Sequence, residues 1–299
     1  MTLPAPVRSY LYVPGDRPEL LIKAAHTGAD AVIADLEDAV APAAKARATA
    51  NVRSWLEGAG GGILERRAAD QHDGEQQRWV RVNAGTLTED LAAVVLPSLD
   101  GIMVPKACSE AITLTGEILD RLEQEREIKP GRVAIIPLIE SATGLLEARV
   151  IAALPRVLRL ALGEVDLAAD LGLVLDGHSD HLSPLRLQLV LASAAAGIAR
   201  PLGPTSTAYR ELDRFGTSSH ELYRLGFRAR TAIHPTQVAV IHTVFTPSAD
   251  QIAAAKELVT RFEAAGGGSS TDGAGSFIDS ASLRQARELL AAPRCGEFN

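Results

Sequence analysis

The chain has 299 residues, 46% of them hydrophobic, and a net charge of −7. That is ample material for a large core, yet no apolar run is long enough to span a bilayer, and the acidic balance disfavours nucleic acid as a partner. Residues Met1 to Arg8 lack the apolar stretch of a secretory signal, and Cys108 and Cys295 are too far apart in sequence to suggest a disulfide framework or a thiolate metal site, so a cytoplasmic setting is expected.

Short runs rich in Val, Ile and Leu alternate with segments of helical periodicity. Strands are predicted at 8–14, 31–36, 79–83, 101–105, 133–139, 157–162, 200–204 and 228–233, each followed by a helix. Such alternation implies a parallel sheet with helices outside it. A doubly wound open sheet would alternate in the same way; the count of eight and the spread of polar strand ends select a closed (β/α)8 TIM barrel. The seventh strand is the least regular, because RPLGPT is short and holds two prolines, which demote a strand to an edge or loop. Gly58 to Gln77 reads as a surface insertion. Ala264 to Ser276, AAGGGSSTDGAGS, cannot bury apolar surface and reads as a flexible linker. The expected division is a catalytic barrel over 1–264, a linker over 265–276 and a C-terminal segment over 277–299. In that last segment Ser280 or Ser282 would cap an amphipathic helix with Leu283, Ala286, Leu289 and Leu290 on one face.

Polar residues gather just after the strands, where a barrel builds its active site. Asp35, Glu37 and Asp38 follow AVIA, Arg81 and Asn83 lie in WVRVN, Lys106 follows GIMVP, Glu140 follows VAIIPLI, and Asp166 follows VLRLALGEV. On adjacent strands five and six, Glu140 and Asp166 can converge on a hard cation; oxygen ligands with no nearby Cys favour Mg2+ or Mn2+. Two carboxylates leave coordination positions open for an α-keto acid. The alternative is that each carboxylate caps the helix after it. Arg81 offers paired donors to an enolate or carboxylate oxygen, or else is a packed strand arginine paired to Asp38. Period-two alternation sends Asp35 and Glu37 to one side and Asp38 towards the rim, and these acids suit the orientation of Arg81 and of metal-bound water. Lys106 admits a rival mechanism, a Schiff base without metal. His234 in IHPTQ is a candidate base or a structural hydrogen bonder, and GDRP, with Arg17 at a helix start, suits a phosphate. GxGxxG and P-loop patterns are absent, so a Rossmann or NTPase reading has no support.

Taken together, RSYLYVPGDRPELLIKAAHTGADAVIADLEDAV, VRVN, GIMVPKA, IPLIESATGLLEA, GEVDLAADLG and GFRARTAIHPTQV resemble the citrate lyase β-subunit-like lyases, which include malyl-CoA and citramalyl-CoA lyases. The resemblance runs from Arg8 to about Ala264. It implies a TIM barrel, Mg2+ held by Glu140 and Asp166, and Arg81 at the thioester or keto oxygen, which Glu37 and Asp38 would support on the reading of the residues given above. It further implies a CoA thioester whose phosphates meet Arg8, Arg17, Lys23 and Lys45, and a homo-oligomer, trimer or hexamer. The tail GSFIDSASLRQARELL resembles the lid of the malyl-CoA and citramalyl-CoA lyases, in which an aspartate, here Asp279, serves a neighbouring subunit as acid/base. Two departures stand out: Ala281 replaces the family's usual Pro, and RPLGPTSTAYRE lacks an acidic residue often seen around strand seven, which implies a looser lid and altered substrate choice around Thr205 to Tyr209. The expected activity is reversible cleavage of a 3-hydroxyacyl-CoA to acetyl-CoA and an α-keto acid. A citrate lyase β subunit or metal-dependent aldolase is the nearest alternative. A non-catalytic assembly or regulatory subunit is a third, against which Glu140, Asp166 and Arg81 count together.

Overall fold

The structure, a computed structural model, describes residues 7–58, 76–175, 180–264, 270–271, 277–278 and 280–290. Eight parallel strands, β1 (Ser9–Pro14), β2 (Ala31–Asp35), β3 (Gln77–Arg81), β4 (Gly101–Val104), β5 (Ala134–Ile139), β6 (Ala161–Leu162), β7 (Leu202–Gly203) and β8 (Ala229–Ala232), pair in sequence order and close by pairing β8 with β1. Outside them run α1 (Pro18–Ala24), α2 (Lys45–Gly58), α3 (Leu87–Val94), α4 (Ser109–Glu125), α5 (Ala142–Ala152), α6 (Glu164–Asp170), α7 (Ser183–Ala196), α8 (Leu212–Leu225) and α9 (Pro235–Phe245). The fold is a (β/α)8 TIM barrel.

Strands buried on both faces explain the near-continuous apolar runs. Leu11, Val32, Ala34, Val80, Ile102 and Ile135 pack outward against the helices, while Tyr10, Ile33, Trp79, Met103, Ile136, Ala161 and Leu202 fill the barrel. The largest interior side chain is accommodated by deletion of another: a Cβ on Gly101 would lie 2.2 Å from the Trp79 ring. The period of two that turns Ile33, Trp79 and Ile136 inward also turns Asp35, Arg81, Leu138 and Glu140 inward at the carboxyl ends.

Three strand boundaries differ from expectation. β7 shrinks to Leu202–Gly203 because Pro201 and Pro204 flank it and neither can donate to the ladder. β6 is short, with Val157 making only an isolated bridge to Ile135. β3 starts at Gln77 and ends at Arg81, so Asn83 lies in the loop beyond it. Residues 59–75, which hold most of the expected insertion, lie outside the described residues.

After α9 comes α10 (Ala249–Ala264), then a two-stranded antiparallel pair, β9 (Ser270–Thr271) with β10 (Phe277–Ile278), and α11 (Ser280–Leu290). Ser270 and Thr271, within the expected linker, are thus paired; the rest of 265–276 lies outside the described residues. Leu283 and Ala286 are buried, and Glu288 receives two hydrogen bonds from Arg200, at 2.9 and 2.8 Å. Arg200 and Arg228, the latter 3.8 Å from Glu288, precede β7 and β8, so α11 is anchored at the amino end of its own barrel. No helix among the described residues is long and apolar enough to cross a membrane.

Candidate active site

Register makes Asp35 and Arg81 direct neighbours on β2 and β3. The guanidinium donates from Nε to Asp35 Oδ1 at 2.7 Å and from Nη2 to Asp35 Oδ2 at 2.6 Å, while Asp35, 1% exposed, also accepts from the backbone N–H groups of Glu37 and Ala39. Nη1 lies 2.9 Å from Glu37 Oε2 and 3.3 Å from Asp38 Oδ2. The Tyr12 ring lies 4.9 Å beneath the guanidinium. Burial opposes the charge on Arg81, but the hydrogen bonds to Asp35 outweigh it and hold the group protonated. The head is therefore paired chiefly to Asp35, with Asp38 as its exposed third partner. At least one N–H on Nη2 is left for a ligand, since a guanidinium has five.

Glu140 follows β5 and is 5% exposed. Its Oε1 accepts from the Lys106 N–H at 2.6 Å, and Lys106 adopts φ 50° to present that N–H. On the other side the chain passes so close that a Cβ on Gly163 would lie 2.5 Å from Glu140 Cβ and 2.7 Å from Oε2; only glycine leaves the carboxylate its place. Burial pushes Glu140 up to about 7; Lys106 and Arg81 oppose this, and the Asp166 and Asp38 charges add to it. Glu37 is likewise pushed up to about 7, by burial against the pull of Arg81, with Asp38, Glu140 and Asp35 reinforcing it. Neither metal candidate is a helix cap. Ser141 caps α5 by accepting from the Gly144 N–H, and Asp166 lies in the first turn of α6, whose N-cap residue is Gly163.

Tyr12, Asp35, Asp38, Arg81, Leu138, Glu140, Glu164, Asp166, Thr205, Thr231 and Ile233 are among the residues lining one pocket of about 330 Å³ at the carboxyl end of the barrel. Its acids outnumber its single lining cation, Arg81. Among the described residues no group of three or more His, Cys, Asp or Glu is placed to hold a metal ion. The fit is to a hard ion that takes two carboxylate ligands and fills its other positions with water or substrate oxygen: Glu140 and Asp166 line the pocket together, close enough for the Asp166 charge to add to the upward push that burial gives Glu140.

The other predicted residues are placed less uniformly. Lys45 Nζ donates to the Leu36 and Glu37 carbonyls and to Asn83 Oδ1, at 2.7, 2.5 and 2.7 Å, so its three N–H groups shape the loop after β2 and leave none for a phosphate. Arg8 is 5% exposed at the amino end of β1, where it pairs with Asp30 at 2.9 Å; it is remote from the pocket because strand direction puts it at the opposite rim. Lys23 is exposed in the last turn of α1, which runs back towards that same end. Arg17 is exposed at the start of α1, just beyond the carboxyl end of β1. Asp279 lies outside the described residues. Lys106 is exposed and does not line the pocket, so the apolar surroundings that a Schiff-base lysine needs are missing. His234 caps α9 through a reciprocal capping box with Gln237. Sequence reading missed Glu164, which lines the pocket and is gripped by Arg186; GEVD displays an acid two residues before Asp166, but nothing local announces the arginine.

Residues 8–235 match the HpcH/HpaI aldolase/citrate lyase family. A citrate lyase subunit beta-like protein of Deinococcus radiodurans is 32% identical over 292 residues, covering 96% of this chain and 98% of that protein. An L-malyl-CoA/beta-methylmalyl-CoA lyase of Cereibacter sphaeroides is 32% identical over 315 residues, covering 95% of this chain and 94% of its own length. Among solved structures, CitE from Mycobacterium tuberculosis in complex with magnesium, acetoacetate and coenzyme A has a TM-score of 0.73 and 28% identity, over 96% of this chain and 98% of that one. The chain belongs to the HpcH/HpaI aldolase/citrate lyase family and is a metal-dependent carbon–carbon lyase.

Proposed function

We propose that the chain cleaves and forms a 3-hydroxyacyl-CoA of the malyl-CoA or citramalyl-CoA type, exchanging it with acetyl-CoA and a small α-keto acid, with Mg2+, or Mn2+ in its place, held by Glu140 and Asp166. The observation that carries this reading is the convergence of Arg81, Glu140 and Asp166 on one pocket. A cation bound there supplies Lewis-acid polarisation of a keto oxygen and charge compensation for two carboxylates. Arg81, locked by Asp35, aims a fixed donor at the thioester oxygen, where negative charge develops as the enolate of acetyl-CoA forms. Asp35, Glu37 and Asp38 keep that guanidinium in place, and Arg17 is an exposed cation beside the rim for a CoA phosphate.

Asp279 is the proposed proton donor to the acetyl carbon in cleavage and proton acceptor in condensation. The anchoring of α11 at the amino end of its own barrel supports a lid that serves an adjacent subunit of a trimer or hexamer. Co-refolded Asp279→Ala and Glu140→Ala chains, each inactive alone, should then recover part of the activity, whereas no recovery in verified hetero-oligomers would refute action in trans. The substrate class is tested by incubating the purified chain with malyl-CoA, citramalyl-CoA and citrate and measuring keto acid release. Release from the thioesters by the chain alone is expected; turnover only of citrate, and only with further subunits, would favour a citrate lyase β subunit.

A further inference from the structure

The corner that follows β6 has to be held accurately, and its own helix cannot do so. Asp166 sits in the first turn of α6, a helix of only seven residues whose N-cap residue, Gly163, offers no side chain to its first N–H groups. Isolated helices so short are marginal in water, so the position of α6 depends on what ties it down. The same corner also carries Gly163, whose backbone lies against the Glu140 side chain so closely that an added Cβ would lie 2.5 Å from Glu140 Cβ. A shift there would move Asp166 directly and disturb Glu140 by contact.

The tie comes from another element. Arg186, on the first turns of α7, donates from Nε to Glu164 Oε1 at 2.7 Å and from Nη2 to Glu164 Oε2 at 2.9 Å. The two side chains are 5% and 16% exposed, and Glu164 is the first residue of α6. A planar fork on a carboxylate fixes both distance and orientation, which a single contact does not. Glu164 lines the pocket, yet both of its oxygens are turned to Arg186 rather than left to a ligand. At the other end of α6, Asp170 accepts from the Ala142 N–H at 2.7 Å, and at the start the Gly163 N–H donates to the Ile139 carbonyl at 2.9 Å. Of these ties, the Arg186 fork is the one made by two buried or nearly buried charges.

We infer that Arg186 is a positioning residue for the cation site: by clamping Glu164 it sets the corner that places Asp166 and bounds Glu140. The inference rests on the proposed cation site at those two carboxylates. Supporting groups of this kind are worth about 10–100-fold in metal affinity.

Direct binding of Mn2+ to the full-length protein, followed by calorimetry and by electron paramagnetic resonance of the bound ion, tests it without reference to turnover. Arg186→Lys keeps the charge and loses the fork; Glu164→Gln keeps the shape and one acceptor. For folded Arg186→Lys, a Kd weaker by about 10–100-fold and a broadened resonance are expected, with Glu164→Gln weaker by a smaller factor. Wild-type affinity and spectrum in either folded variant would overturn the inference while leaving the cation site intact. Should Arg186→Lys fail to fold, the Glu164→Gln result decides alone. If wild-type protein binds no ion that Glu140→Gln abolishes, the cation site itself is wrong, and the inference falls with it.

Discussion

At the amino end of the barrel, Arg8 donates to both oxygens of Asp30, which also accepts from the Arg8 and Ser9 N–H groups and has His242 Nε2 at 3.3 Å, while Arg8 Nη1 donates onward to Thr246 at 2.6 Å. At the carboxyl end, Arg81 makes the same fork on Asp35, but Glu37, Asp38, Glu140 and Asp166 stand around it and, among the described residues, form no ion pair with any other cation. The consequences are opposite. Burial of Asp30 is outweighed by the hydrogen bonds from His242 and Arg8, which hold it well below the usual carboxylate range; burial of Glu37 and Glu140 is not outweighed, and both rise to about 7. One Arg–carboxylate pair is saturated and serves as a staple. The other is embedded in excess negative charge that a bound cation would relieve, and groups perturbed in this way mark functional sites.

Arg81→Lys should lower kcat by about 10²–10³-fold, because an ammonium cannot both fork Asp35 and keep a fixed donor for the substrate; steady-state kinetics on protein with native circular dichroism checks this. Arg8→Met should cost about 1–3 kcal/mol of stability, by taking the charge-assisted fork from a part-buried carboxylate that keeps His242 and two backbone N–H groups, while leaving kcat of the folded fraction unchanged. Urea unfolding beside kinetics separates the two, and a loss of kcat without a loss of stability would erase the contrast between the ends.

The ends should also differ in pH dependence. With chelator present, the raised folded-state values of Glu37 and Glu140 mean that the native state binds more protons than the unfolded chain between their ordinary value of 4.5 and about 7, so stability falls as pH rises through that window. Glu37→Gln should flatten this slope. Asp30, with its folded value depressed, contributes stability above its ordinary 3.8 that is lost as pH falls below it. The smallest effects concern the surface cations: Arg17→Ala should raise KM for the CoA thioester several-fold, as expected for one exposed phosphate contact, whereas Lys23→Ala, near the wrong end, should leave it unchanged.

Most of the barrel was legible because strands such as β2 and β5 are buried on both faces and so write unbroken apolar runs, AVIA and VAIIPLI, whereas QRWVR of β3 carries polar residues at both ends. Strand ends were less so: prolines trimmed β7, and β6 is a two-residue strand within a longer apolar run. Asp35, Arg81 and Glu140 could be found because period-two alternation places them, and Asp166 because it follows a strand on the next rung. The misplacement of Arg8 has the same origin. It stands before a strand rather than after it, and strand direction alone sends it to the opposite rim. Lys45 could not be read, since its role depends on Leu36, Glu37 and Asn83 folding back around one ammonium. The Glu164–Arg186 fork joins two helices across twenty-two positions and leaves no local pattern.

The central claim, that the overcharged carboxyl end is a metal-dependent lyase site built on Glu140 and Asp166, is tested most directly by turnover of a 3-hydroxyacyl-CoA before and after exhaustive chelation, in wild-type and Glu140→Gln protein, with borohydride added to parallel samples. The account predicts that chelation abolishes keto acid release, that Mg2+ restores it in wild type alone, and that borohydride traps nothing. Turnover that survives chelation, with a substrate adduct trapped on Lys106, would contradict it.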